Sequence, residues 1–163
     1  MIVPETLNTT DEDFSKRIIG DSLAHEYFHI YQRMINSTFT GSDKGFSVKW
    51  LIEGTATFFQ NLFLIQYYHP DIFDIGFSND VLHVDVMTQP EVYESYSSTG
   101  EQDRNYDSSM FLVLVLAKIL QDQPNNFSEV ESFKLILKDF MAQNLTADNW
   151  KTIFQSTFKL SVE

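Results

Sequence analysis

Two histidines, four residues apart and with a glutamate beside the first, stand together at His25-Glu26-Tyr27-Phe28-His29 in this chain of 163 residues. On a helix, side chains four apart project from one face, so both imidazoles would reach a single ion. Neutral imidazole nitrogen suits zinc. Glu26 lies beside that pair, where its carboxylate would reach a water next to the ion rather than the ion itself. Tyr27, Phe28 and Ile30 are apolar, which predicts ligands on one side of the helix and packed hydrophobes on the other. The plain alternative is a histidine pair on the surface of an amphipathic helix.

A third candidate ligand follows in Trp50-Leu51-Ile52-Glu53-Gly54-Thr55-Ala56. Glu53 is an acid inside an apolar stretch that continues through Phe58 and Phe59. A carboxylate there is costly unless it is paired, protonated or bound to metal. Two histidines and one carboxylate leave a fourth zinc position open, which is the catalytic arrangement. Gly54 and Ala56 are small, and predict a close approach between this helix and the one carrying His25 and His29. An exposed acid at a helix start near Ser47 is the bland reading of Glu53. The chain has no cysteine, so a metal must be held by His, Asp or Glu, and disulfides, thiolate zinc sites and a cysteine nucleophile are excluded.

These two segments together resemble the gluzincin zinc metallopeptidases, and within them the peptidase MA-like family, over Leu23 to about Phe59. The resemblance implies one zinc per chain held by His25, His29 and Glu53, with Glu26 as the catalytic base. It implies a peptide or protein as the substrate; peptidases of this type are often exported, and the sequence itself identifies no compartment. Members often carry a tyrosine at the start of the next long helix, whose hydroxyl stabilises the transition state, and Tyr106 is similar to that residue. A partly buried tyrosine at a helix start is the alternative for Tyr106. Gluzincins usually place a mixed sheet before the zinc helix, and here only Ile2-Val3 precede it as possible strand. The expected fold is therefore mainly α, a gluzincin or thermolysin-like helical core with its N-terminal sheet short or absent.

Other polar residues have weaker standing. Thr57 and Gln32 each lie one turn beyond a proposed ligand and would support it, or equally bond their own helix. His69 precedes Pro70 at a helix end and reads as structural. His83 is an alternative donor to the transition state, on a segment whose alternation explains it as well. Asp103, Arg104 and Asp107 flank Tyr106 and would orient it or meet substrate.

Five helices must position these groups. The pattern predicts them over Asp11 to Asn36 with Gly20 as a possible bend, Val48 to Tyr68, Tyr106 to Gln121, Ser128 to Asn144, and from Thr146 onward. Thr10 with Asp13, and Ser128 with Glu131, read as capping signals. Ser37 to Ser47 and Ser95 to Gly100 read as loops. The two metal helices would pack side by side, with the three later helices as the second wall of a cleft. Residues 1–163 read as a single domain whose ends look cut from a longer protein.

Composition narrows the partners. A formal charge of -12 argues against binding nucleic acid through a basic face and against docking on anionic lipid. The longest apolar run, Met110 to Ala117, is far short of the roughly 20 residues a membrane helix needs, so membrane insertion is not expected. Nothing near Met1 resembles a signal peptide. Three functions remain in view: a zinc peptidase, a catalytically inactive peptidase-like binding module that retains the zinc-site fold, and a helical interaction domain without metal.

Overall fold

A computed structural model describes residues 12–39, 45–67, 91–94, 105–122 and 126–161. The described part is mainly helical: α1 Glu12–Ile35, α2 Lys49–Tyr67, a one-turn α3 Glu91–Glu94, α4 Asn105–Asp122, α5 Glu129–Lys134 and α6 Trp150–Phe158. No strand occurs among the described residues; the one β feature is an isolated antiparallel bridge between Gly45 and Thr146. The Ile2-Val3 strand, the Thr10 cap and the loop at Ser95 to Gly100 fall outside the described residues, as do His69, His83, Asp103 and Arg104. No helix among the described residues is long and apolar enough to cross a membrane.

Helix α1 runs through Gly20 without a break, so Gly20 does not interrupt it. At α5 the capping box forms: the Ser128 hydroxyl accepts from the Glu131 backbone amide, and the Glu131 carboxylate accepts from the Ser128 amide. The helix then widens into a π-helical turn, Leu135–Phe140, before ending near Met141. Ile136, Phe140 and Met141 are fully buried from this segment.

Helix α2 is the centre of the molecule. It packs on α1 along one side and on α4 along the other. It runs antiparallel to α1: His25 meets Gln60 near one end, and Gln32 meets Ile52 and Thr55 near the other. Phe28 stacks on Phe59 between them, with centroids 5.1 Å apart.

The apolar core lies on the far side of α2 from α1. Leu51 and Ile52 join Val113, Leu116 and Leu120 of α4, Ile136 and Phe140 of the π turn, and Trp150, Phe154 and Phe158 of α6. Phe58 of α2 stacks on Phe133 of α5 at 4.3 Å. The turn after α1 is tied to this core, since the Thr38 hydroxyl donates to the Leu145 carbonyl and the Phe46 amide donates to the Thr38 carbonyl at 3.2 Å.

Three expectations change here. Gly54 serves the crossing of α2 with α4, not with α1: a Cβ built on it would lie 2.4 Å from the Ser109 carbonyl oxygen. Only a glycine lets the two backbones come this close. Tyr27 and Ile30 are not packed inside but are 64% and 53% exposed, with Leu23 and Met34 along the same face. Among the described residues α1 packs mainly against α2, so the face carrying Phe28, Gln32 and the histidines is the one that is covered. Finally, α5 and α6 build the core rather than a cleft wall; of the three later helices, α4 alone reaches the cavity described next.

Candidate metal centre

His25 and His29 sit one turn apart on α1, and Glu53 lies in the second turn of α2. Leu51 and Ile52 anchor that turn in the core, which directs Glu53 back toward α1. Glu53 is 7% exposed. His25 Nε2 and His29 Nε2 are 3.1 Å apart. Glu53 Oε2 lies 3.1 Å from the first and 3.3 Å from the second. His25, His29 and Glu53 thus form a group able to hold a metal ion.

The donor chemistry and spacing both fit such an ion. Two imidazole nitrogens and a carboxylate oxygen are donors that zinc accepts, and they leave a fourth position open. A tetrahedral site with bonds of about 2.0–2.1 Å has its ligand atoms about 3.3 Å apart. The three observed separations match the edges of one such face.

Each ring is held at its other nitrogen. His25 Nδ1 lies 2.9 Å from Gln60 Oε1 of α2. His29 Nδ1 lies 2.7 Å from Gln32 Oε1, and Gln32 Nε2 in turn donates to the Ile52 carbonyl at 2.9 Å and to the Thr55 hydroxyl oxygen at 2.8 Å. Such partners orient imidazole ligands and raise their basicity. Burial of the His29 ring opposes its charged form. The hydrogen bonds to Glu53 and Gln32, with the charges of Glu53 and Glu26, outweigh that burial and raise its pKa above the ordinary 6.5.

A cavity of about 210 Å³ opens beside the cluster, lined by Ser22, His25, Glu26, Gln60 and Tyr106. Glu26 is exposed to it, and no ligand-type contact to the His25–His29–Glu53 group includes it. The Tyr106 ring lies 5.6 Å from the His25 ring, centroid to centroid. The close crossing at Gly54 explains this approach, because Ser109 is one turn along α4 from Tyr106.

The structure therefore brings His25, His29, Glu53, Glu26 and Tyr106 to one place. Gln32 supports His29. Thr57 does not support a ligand: it is buried, and its hydroxyl has no hydrogen-bond partner among the described residues. Asp107 is exposed in the first turn of α4. Gln60 and Thr55 are the participants that reading the sequence missed. Gln60 is separated from His25 by most of two helices and a loop, so only the packing of α1 on α2 reveals it. Thr55 had a local signal, two residues beyond Glu53 and on the opposite helix from Gln32.

No protein family, no curated protein and no solved structure matches this chain.

Proposed function

We propose that this chain is the helical core of a zinc-dependent peptidase of the gluzincin kind, and that it hydrolyses peptide bonds. The observation that carries the reading is the convergence of His25 Nε2, His29 Nε2 and Glu53 Oε2 within 3.3 Å of one another, beside a cavity shared by Glu26 and Tyr106. Zinc held by these three residues would supply Lewis acidity, polarising the scissile carbonyl and making a water acidic near neutral pH.

Glu26 is the base. It takes one proton of the attacking water as the water oxygen bonds to the carbonyl carbon, and it delivers that proton to the amide nitrogen as the C–N bond breaks. One water is consumed, and a carboxylate and an amine leave. Tyr106 donates a hydrogen bond to the oxygen that gains charge when the carbonyl carbon becomes tetrahedral. Gln60 and Gln32 hold the two imidazoles in place through both steps.

The test is a comparison of the zinc-loaded parent with Glu26→Gln on a mixed peptide library read by mass spectrometry. The parent should cleave. The variant should keep one zinc per chain and its fold while losing at least about a hundredfold in rate. Cleavage by the variant at the parental rate would remove Glu26 from the role of base. A zinc-loaded parent that cleaves nothing would overturn the peptidase reading and leave a metal-bearing binding module.

A further inference from the structure

We propose that Gln32 is a positioning residue of the metal centre: it fixes the proton of His29 on Nδ1 and makes that assignment depend on the register of α2 against α1. The proposal rests on the reading of His25, His29 and Glu53 as a metal site.

Gln32 is fully buried, so its amide cannot turn to water for a partner. Which end of a glutamine amide faces which neighbour is ordinarily ambiguous. Here the neighbours decide it. The Ile52 carbonyl, 2.9 Å away, can only accept, so it must face the NH2 group. The Thr55 hydroxyl places its own hydrogen on the Leu51 carbonyl at 2.6 Å, and so offers Gln32 a lone pair. Both amide hydrogens are then committed to α2. The amide oxygen is left facing His29 Nδ1 at 2.7 Å, and an amide oxygen can only accept. His29 Nδ1 must carry hydrogen. In the neutral ring, Nε2 is then a bare lone pair, and it is the nitrogen that faces His25 and Glu53.

Two features make this more than a helix tether. The carbonyl that orients Gln32 belongs to Ile52, the residue next to the ligand Glu53. A shift of α2 that carried Glu53 away from His29 would also release Gln32, so ligand placement and ligand protonation fail together. Without the Gln32 oxygen, the ring would gain most by placing its hydrogen on Nε2, where Glu53 Oε2 lies 3.3 Å away and can accept it. That tautomer closes the face a metal needs.

The experiment begins with the metal-free parent at a pH where the ring is neutral, by long-range proton–nitrogen correlation NMR. His29 should appear as the Nδ1–H tautomer; an Nε2–H tautomer overturns the proposal. This readout needs no metal. A parent that shows Nδ1–H but binds no zinc defeats the metal-centre reading and leaves the wiring intact.

Zinc affinity is then measured by chelator competition for two variants. Gln32→Met keeps length and apolar bulk but has no acceptor. It should move His29 toward Nε2–H and weaken zinc binding by about 10–100-fold. Gln32→Glu keeps an acceptor oxygen and loses both donors to α2. It should melt earlier than the parent yet bind zinc no more weakly, since a carboxylate behind the imidazole raises its basicity. A folded Gln32→Met protein that keeps Nδ1–H and the parental affinity reduces Gln32 to a structural tether and overturns the proposal. If Gln32→Met does not fold, a Gln32→Glu protein that has lost zinc affinity overturns it equally.

Discussion

Glu53 meets two imidazole nitrogens at 3.1 and 3.3 Å while almost out of reach of solvent. Its burial is offset by partners that can give it a proton or share a cation with it. The two possibilities oppose each other in pH. The raised pKa of His29 means that, without metal, its interaction with Glu53 contributes stability that is fully present below the ordinary value of 6.5 and is lost as pH rises through the raised folded value. Zinc must displace that proton, so zinc affinity should fall as pH drops through the same range. Thermal melts of the metal-free protein and zinc titrations across the neutral range should therefore slope in opposite directions; two flat profiles would deny the coupling. At this scale much could be read from the chain itself. An acid amid Trp50, Leu51, Ile52 and Phe58 demands a partner, and the four-residue spacing of His25 and His29 supplies one. Gln60 could not be read, because nothing local distinguishes it from a solvated helix glutamine. Tyr27 and Ile30 misled, because apolar character says a residue can be buried and not which face a neighbour covers.

Helices α1, α2, α4 and α6 lie within a few residues of where periodicity, caps and Pro or Gly punctuation place them. Their apolar periods are long, and long periods locate a helix well even where its ends fray. The one-turn α3 and the π turn were not legible. The first is too short to carry a period, and the second uses the same helix-forming residues as an α-turn, with its extra residue fixed by packing of Ile136 and Phe140 into the core. Gly54 was recognised as a crossing point, but small size does not say which helix crosses; α4 does. Gly54→Ala tests that crossing. Alanine gains about 1 kcal/mol in helix propensity. Its Cβ, however, would stand 2.4 Å from a backbone oxygen that no rotamer change can move. We expect a net loss of about 2 kcal/mol, seen as a melting temperature lower by about 4–8 °C. Because Ser109 shares the first turns of α4 with Tyr106, the zinc-loaded variant should also lose turnover while keeping its metal. An unchanged melting temperature would show that α2 and α4 are not held this closely.

On the scale of the whole molecule, the core and the site divide α2 between them. Its far side holds α4, the π turn and α6 together, and its near side presents Glu53 and Gln60 to α1. The cavity beside the cluster is lined from α1, α2 and α4, so three helices must be in place before the site exists, and a ligand that binds it would stabilise their packing. The surplus of acids, 23 against 11 basic residues, argues against a basic nucleic-acid-binding face, and among the described residues the proposed chemistry rests on the His25–His29–Glu53 group. Zinc-edge X-ray absorption of the purified, zinc-loaded chain tests that cluster most directly. Expected is one zinc per chain with two imidazole nitrogens and carboxylate oxygen at about 2.0–2.2 Å, and loss of stoichiometric zinc in His29→Ala. A first shell of oxygen alone, or the same spectrum and stoichiometry in the His29→Ala protein, would contradict it.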